Sequence, residues 1–335
     1  MPTLPGTESS LAAPAPSTFG VPSPDPATVP PAFRELQAAM ELYSREMVGQ
    51  GASAVLIEAK VGGQAWSHTA GTRTLGGAAA APGDPVFIGA VGRSMLAVLV
   101  LALVEEGLVV LDLPVATYLP ELSGTVAGGR SVREVLGRKP SSLDPSDQGY
   151  RILGVLVERL RGAGLATVLA RDIGEPLGLR SFPVSAGANP DTLVHRYVLV
   201  DGDASDVTAL AGPGEGEPRI AAGVADLNSF YAGLLEGRLL EPASLVEMKG
   251  PLPGGYGLGL DQWDDRCTNG SYFGHAADLP GGGVVSMSSA DGNRQLTLAV
   301  SYPPAAQGTQ PSALTLELMG LAQVALNSGC RFQFR

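Results

Sequence analysis

The order of strand-like and helical segments restricts the fold of this chain more than any other feature. Near the N-terminus, residues 53–61 (SAVLIEAKV) and 64–70 (QAWSHTA) are short and β-branched or alternating, and Gly62-Gly63 separates them as in a hairpin. Near the C-terminus, further strands are predicted over 256–260, 271–274, 283–288 and 295–301. The chain between these groups is helical, so we predict an α+β fold in which both chain ends build one antiparallel sheet.

Helical periodicity and Gly or Pro stops predict the remaining elements. An amphipathic helix over 31–50 and a last helix over 312–326 flank the sheet, and the central helices are predicted over 91–106, 131–136, 149–160, 165–173, 224–235 and 242–248. Residues 181–219 are typical of a loop. We therefore predict a sheet domain of residues 32–90 and 254–335, with an all-helical domain, 91–253, inserted into it.

The N-terminal residues 1–31 are rich in Pro, Ser, Ala and Thr, which predicts a disordered tail. They contain no basic start followed by an apolar stretch, so a cytoplasmic location is expected, or a secreted one if a leader precedes this sequence. The apolar run 95–104 has about half the roughly 20 residues that a membrane-spanning helix needs, and it predicts a core helix instead of a membrane span.

Charge and cysteine content restrict the partners. The net charge of −11 disfavours nucleic acid, because that binding gains its energy from Lys and Arg that displace counterions. The two cysteines, Cys267 and Cys330, have no ligand spacing, so no metal or cofactor is expected. They are either free core thiols or one long-range disulfide.

Four stretches in this order carry a resemblance to a known family: 87–122 (FIGAVGRSMLAV and onward), 131–138 (SVREVLGR), 147–182 (DQGYRILG and onward) and 254–283 (GGYGLGLDQW to GHAADLPGGG). Residues 51–335 resemble the serine β-lactamase and D-alanyl-D-alanine carboxypeptidase superfamily, closest to its class C-like esterase branch. The resemblance implies a β-lactamase/transpeptidase-like fold with an active-site cleft between the two domains. It also places Cys330 where some members close a disulfide, so Cys267–Cys330 is the pair that it implies.

The family's nucleophile and base are absent from the matching positions. Its Ser-x-x-Lys motif corresponds to Ala90 and Arg93. Alanine has no nucleophilic atom, and arginine stays protonated, so it is no base. Losing both groups costs on the order of 10⁶ in rate in a comparable serine enzyme.

The other two walls of the implied cleft have also changed. The Tyr-x-Asn loop corresponds to Pro145 and Asp147, and the His-x-Gly strand corresponds to His275 and Ala277. The segment that roofs the cleft in the family is reduced to residues 139–144. If the family geometry holds, Arg93 contacts Asp147 and faces His275, either as a structural ion pair or as an anion anchor with Asp147 and His275 as acid and base.

A few other residues offer alternatives. Ser94 lies one turn beyond Ala90 but deeper in the core, so it is a poor substitute nucleophile. His68 and His195 are interpreted as surface or structural residues, and Tyr150 and Tyr256 as packing residues.

The sequence therefore supports three hypotheses about function. The first is a pseudoenzyme that binds a small ligand or a partner in the cleft without acyl-enzyme chemistry. The second is an enzyme that has been repurposed for non-covalent acid–base chemistry with Arg93, Asp147 and His275, such as a cyclase, lyase or isomerase, for instance in secondary metabolism. The third is a scaffolding or regulatory subunit that docks another protein.

Overall fold

A computed structural model describes residues 31–138, 149–182, 192–208, 219–250, 255–301 and 313–328. The predicted tail lies outside these ranges except for Pro31, which begins the first helix. Pro145, Asp147 and Cys330 also lie outside the described residues.

Strands lie toward both ends of the described chain with helices between them, as predicted, and two segments differ from the prediction. The strands are β1 (Ala54–Val61), β2 (Gln64–Gly71), β3 (Val86–Phe87), β4 (Tyr197–Val200), β5 (Asp203–Asp206), β6 (Ala221–Ala222), β7 (Asp261–Asp265), β8 (Gly270–Leu279), β9 (Gly282–Ser289) and β10 (Arg294–Ser301). The helices are α1 (Pro31–Gly49), α2 (Gly92–Glu105), α3 (Val126–Gly129), α4 (Val132–Leu136), α5 (Gly149–Arg161), α6 (Leu165–Leu169), α7 (Glu175–Leu177), α8 (Val224–Leu235), α9 (Pro242–Lys249) and α10 (Ala313–Ser328).

Both ends of the chain build the main sheet. Its six antiparallel strands have the order β2-β1-β10-β9-β8-β7, so the N-terminal hairpin pairs with the C-terminal strands through β1 and β10. Their register sets Ala54 opposite Ser301 and Val61 opposite Arg294. The predicted α+β fold class is confirmed, whereas the predicted domain boundaries stay a prediction.

Two buried clusters hold the layers together. On one face of the sheet, α1 and α10 bury an apolar cluster that includes Phe33, Met40, Ile57, Leu298 and Leu318. On the other face, α8 and the helices around α2 form a larger core. Helix α2 is buried on nearly all sides, which explains why its sequence is apolar throughout.

The predicted strand over 256–260 is wrong. Tyr256 forms only an isolated bridge to Asp261, and strand β7 begins at Asp261. Gly255 and Gly259 have φ of +71° and +72°, so this segment turns where a strand would extend. Gly255 and Gly259 allow the backbone to turn, and Gly259 also packs closely on α2. Because glycine recurs at alternating positions, the sequence resembles that of a strand.

The predicted loop over 181–219 contains a hairpin. Strands β4 and β5 pair antiparallel, and Asp201 and Gly202 connect them with φ of +54° and +94°. Asp-Gly after a short β-branched run is a strong hairpin signal, so the sequence contained this information.

Candidate functional site

A single turn of 3-10 helix, Gly89–Val91, leads directly into α2 and contains Ala90, the residue that the sequence resemblance aligns with the family nucleophile. Ala90 is 8% exposed. A Cβ on Gly89 would lie 2.7 Å from Leu279 Cδ2 and 3.2 Å from Ala277 Cβ, so the end of β8 packs tightly on this turn. The structure thus brings the Ala90 turn and Ala277 together, as the resemblance implies.

Arg93, in the first turn of α2, is 5% exposed. Its guanidinium carbon lies 4.5 Å from the centroid of the Tyr150 ring, and its Nη1 donates a 3.1 Å hydrogen bond to the carbonyl of Arg138. A cation over an aromatic face is attracted to the ring quadrupole, and burial strengthens that attraction. Arg93 is therefore held by α5 and by the end of the segment that follows α4.

Two tyrosines connect Arg93 with His275. The Tyr150 hydroxyl donates to the carbonyl of Leu136 at 2.6 Å, and Tyr150 lies close enough to Tyr256 to raise the pKa of that phenol. The Tyr256 hydroxyl lies 3.0 Å from Nε2 of His275. Tyr150, Tyr256 and His275 are each 1% exposed, so this chain of polar groups is enclosed by protein.

The hydrogen bonds fix the tautomer of the neutral His275 ring. Nδ1 lies 2.8 Å from the carbonyl oxygen of Ala276, which can only accept, so Nδ1 carries the proton. Nε2 of the neutral ring then accepts from Tyr256. Burial, followed by the neighbouring phenol of Tyr150, raises the pKa of Tyr256 well above its ordinary value, and the charge of Arg93 offsets this only in part. Tyr256 therefore keeps its proton and serves as a donor.

Ser94 is fully buried, and both functions of its hydroxyl are occupied. Its Oγ donates to the carbonyl of Gly259 at 2.7 Å, and because the only proton is used there, it accepts from the Tyr231 hydroxyl at 3.0 Å. Burial raises the pKa of Tyr231, so that phenol is not a base for Ser94. The hydroxyl is a structural link between α2, α8 and the turn at Gly259.

The two tyrosines do more than the sequence predicts. It predicts Tyr150 and Tyr256 as packing residues, but the Tyr150 ring contacts Arg93, the Tyr150 hydroxyl donates to Leu136, and the Tyr256 hydroxyl bonds His275. The available signal was that a buried tyrosine needs a partner for its hydroxyl. The partner of each hydroxyl comes from another segment of the chain, so it is known only once the helices have packed.

The remaining predicted residues are placed as follows. Asp147 and Pro145 lie outside the described residues, so the expected Arg93–Asp147 contact stays a prediction. His68 bonds the Ser44 hydroxyl at 2.8 Å, and His195 pairs with Asp206 at 2.6 Å. In the described part of the chain, no cluster of three His, Cys, Asp or Glu side chains is arranged to hold a metal ion.

The Cys267 sulfur lies 3.8 Å from the carbonyl of Leu326, near the end of α10. Residue 330 follows four positions later, outside the described ranges, so the Cys267–Cys330 pair stays a prediction. Among the described helices, none combines the length and apolar character needed to cross a bilayer.

Comparison with known proteins gives a family match for part of the chain and a structural match for most of it. Residues 40–137 match the family model described as Beta-lactamase. The fold is similar to a D-stereospecific amidohydrolase from a Streptomyces species, with 22% identity, a TM-score of 0.65, and coverage of 79% of this chain and 94% of that one.

Two further structures support the same fold. A D-amino acid amidase from Ochrobactrum anthropi SV3, complexed with L-phenylalanine amide, has 17% identity, a TM-score of 0.71, and coverage of 87% of this chain and 98% of that one. An octameric penicillin-binding protein homologue from Pyrococcus abyssi has 16% identity, a TM-score of 0.66, and coverage of 86% and 77%. At these identities, the likeness concerns the fold.

Proposed function

We propose that this chain, which has the fold of the serine β-lactamase and penicillin-binding-protein superfamily, is a non-hydrolytic member that binds a small ligand in the cleft between sheet and helices. The observation that carries the proposal is the side chain at the turn before α2. Ala90 offers a methyl group there, and the nearest hydroxyl on α2, that of Ser94, is fully buried and bonded to Gly259 and Tyr231. No activated nucleophile faces the cleft from this turn.

The groups around this turn also support binding over acyl transfer. Arg93 is always charged and bonds to Tyr150 and Arg138, so it does not accept a proton. His275 is enclosed and accepts from Tyr256. These contacts hold the residues in fixed positions beneath the surface, which suits a rigid, preorganised site.

Intact-protein mass spectrometry tests the absence of acylation. After incubation with a penicillin, a cephalosporin and an acyl phosphonate, we expect the mass to stay unchanged, because position 90 has no nucleophile. The Ser94→Ala variant is the matched control. A stoichiometric adduct on wild type that disappears in Ser94→Ala would overturn the proposal.

The double variant Ala90→Ser, Arg93→Lys tests how far the site has changed. We expect at most weak hydrolysis of a chromogenic ester or β-lactam, because Pro145 and Asp147 still replace the family's proton shuttle. Efficient hydrolysis would mean that the rest of the catalytic machinery is intact, and that the loss is limited to two residues.

Ligand binding is tested by thermal shift with amino acids and their amides. The structures of D-amino acid amidase with phenylalanine or its amide make D- and L-phenylalanine and their amides suitable first probes. We expect a saturable shift for at least one probe in wild type, and its loss in Arg93→Met or His275→Ala. If no probe binds and Arg93→Met is more stable than wild type, the cleft residues are structural remnants.

A repurposed acid–base enzyme is the second candidate, and one observation favours it. His275 and Tyr256 form a hydrogen-bonded pair of titratable groups, which can exchange a proton. This candidate requires turnover of a ligand found in the thermal-shift screen. Loss of that turnover in Tyr256→Phe, with binding retained, would favour the enzyme over the pseudoenzyme.

A further inference from the structure

The outer side of α10 lacks the charged residues that normally face water. Of its 16 residues, Ala313–Ser328, only Glu317 is charged. Helix α8 also has a single charged residue, Asp226, and it is buried on nearly all sides. A helix without a charged face is normally covered by protein. One side of α10 packs on the sheet through residues such as Leu318, but the opposite side is exposed.

The exposed side is centred on Gly320. Leu316 is 56% exposed and Val324 is 68% exposed, and they lie four residues before and after this glycine. A helix turns by about 100° per residue, so both side chains lie about 40° to either side of Gly320. Apart from the helix itself, no described part of the chain lies within 4 Å of the place that a Cβ on Gly320 would take. These three residues, with Glu317 beside them, are called the α10 outer face.

The neighbouring helix α1 has the charged outer side that α10 lacks. Both helices cover the same side of the sheet, but α1 exposes Arg34, Glu35, Arg45 and Glu46. The low charge of the α10 outer face is therefore a property of this helix and not of the layer. The chain has a net charge of −11, so two copies repel each other over much of their surface. At the α10 outer face they can approach with one carboxylate each.

The arrangement around Gly320 suits a two-fold axis. A two-fold interface joins the same surface of both copies, so that surface has to complement itself. When two antiparallel α10 helices face each other at Gly320, Leu316 of one copy lies level with Val324 of the other. The glycines leave room for the two backbones to approach closely. The two Glu317 carboxylates then lie about 9 Å apart along the helices, near the screening length of about 8 Å, so their repulsion is weak.

Polar groups border the α10 outer face on the side of β7. The Gln323 side chain donates to the backbone carbonyl of Asp264 at 3.2 Å, and Asn327 accepts from the backbone N–H of Arg266 at 3.0 Å. An apolar centre with a polar rim is the usual anatomy of a protein interface. The helix is about 24 Å long and about 10 Å wide, so this strip is small beside the roughly 800 Å² per partner of a standard interface. A dimer built on it is weak and reversible.

We propose that the α10 outer face is the contact surface of a weak two-fold dimer of this chain, with the two α10 helices antiparallel and Gly320 at the axis. The uncharged, exposed helix face and the even spacing of Leu316 and Val324 around the glycine carry the proposal. A partner of a different sequence would not need this even spacing. The proposal is independent of the function proposed for the cleft.

Sedimentation equilibrium of the full chain tests self-association. We expect a reversible monomer–dimer equilibrium between about 5 and 500 µM, the range of weak complexes. Val324→Lys should weaken the dimer Kd by at least about tenfold, because two ammonium groups would lose water in the interface. Val246→Lys is the matched control, since Val246 on α9 is 70% exposed and the net charge changes equally. This control should keep the wild-type Kd.

Cross-linking tests the position of the axis. On a two-fold axis a residue lies next to its own copy, so Gly320→Cys should give a covalent dimer with a short bismaleimide reagent. The site is open, so a cysteine there is accommodated without strain. Val246→Cys contains the same native cysteines and should stay monomeric under the same conditions.

Three results would overturn the proposal. One is a chain that stays monomeric over the whole concentration range. Another is an equal effect of Val324→Lys and Val246→Lys on the Kd, which would mean that self-association uses another surface. The third is equal cross-linking of Gly320→Cys and Val246→Cys. A circular dichroism spectrum and a Tm equal to those of wild type establish beforehand that each variant is folded.

Discussion

The Tyr256 hydroxyl is the donor of a fully buried hydrogen bond to Nε2 of His275. We expect Tyr256→Phe to remove this bond, at a cost of about 0.5–1.5 kcal/mol in the free energy of unfolding. Urea denaturation measures the change.

Tyr118→Phe is the matched control for this prediction. It removes a hydroxyl that accepts from the backbone N–H of Val110 near the surface, where water can replace it. Equal losses in the two variants would mean that the bond from Tyr256 to His275 contributes no more than a surface hydroxyl.

A buried ion pair gives a second prediction at this scale. Asp265 and Arg294 form two hydrogen bonds, of 3.0 Å and 2.6 Å, and both side chains are 1% exposed. Asp265→Asn would leave the Arg294 charge buried without its carboxylate, which we expect to cost about 3–5 kcal/mol. Glu121→Gln, in the exposed pair with Arg159, should change stability little.

The same ion pair makes the stability of the protein depend on pH in the acid range. Burial raises the pKa of Asp265, but hydrogen bonds from Arg294, Thr268 and the Cys267 backbone outweigh it, so the pKa lies below its ordinary value. A lowered carboxyl pKa contributes stability above the unfolded value of about 4 and loses it as the pH falls through the folded value. The stability difference between wild type and Asp265→Asn should therefore narrow below about pH 4. A difference that stays constant into acid would contradict this.

Single residues also show where sequence reasoning stops. The absence of a hydroxyl or amine at positions 90 and 93 is visible in the sequence, because it is a matter of side-chain chemistry. The partners of Arg93 are not, since the Tyr150 ring and the Arg138 carbonyl reach it only after α2, α4 and α5 have packed.

A helix or strand was predicted correctly where its sequence pattern can arise from only one kind of structure. The prediction was wrong where the same pattern can arise from two. The hairpin of β1 and β2 has strand-like segments and a Gly-Gly turn, and both signals agree. Residues 256–260 alternate like a strand because glycine recurs there, but those glycines provide turns and close packing. Local alternation does not distinguish these causes, whereas the packing against α2 does.

Gly259 offers a test of that packing. A Cβ at Gly259 would lie 2.7 Å from Ala97 Cβ and 3.0 Å from the carbonyl oxygen of Arg93, so Gly259→Ala must push the turn away from α2. Gly107 has the same φ of +72° with no atom within 4 Å, so Gly107→Ala carries the backbone strain alone. We expect about 1–2 kcal/mol for Gly107→Ala and about 1–3 kcal/mol more for Gly259→Ala, measured by urea denaturation. Equal costs would mean that the turn moves freely.

At the scale of the whole molecule, the main feature is one sheet built from N-terminal and C-terminal strands. The pairing of β1 with β10 brings residues about 240 positions apart into register, and the central helices lie between them in the chain. Such long-range pairing was inferable only from the order of the segments. The strand order and the crossings of helices over the sheet required the three-dimensional structure.

The C-terminal end of the chain is attached to the edge of this sheet, and the last prediction concerns that attachment. Asn327, near the end of α10, accepts from the backbone N–H of Arg266 at 3.0 Å and from the Tyr272 hydroxyl at 3.3 Å, beside the buried Arg294 and Asp265. The Cys267 sulfur lies 3.8 Å from the carbonyl of Leu326, and Leu326 is only four positions before Cys330 in the sequence.

We predict that Cys267 and Cys330 form a disulfide under oxidising conditions. The bond would close a loop of about 60 residues and stabilise the fold by about 4 kcal/mol in the chain-entropy model. Thiol titration of the denatured chain should then find no free thiol without reductant and two with it, and reductant should lower the Tm of wild type. Cys267→Ser should have the lower Tm from the start and should not respond to reductant. Two free thiols in the oxidised protein, or an equal response of wild type and Cys267→Ser to reductant, would contradict this prediction and leave the apolar packing and the hydrogen bonds of α10 as its attachment to the sheet.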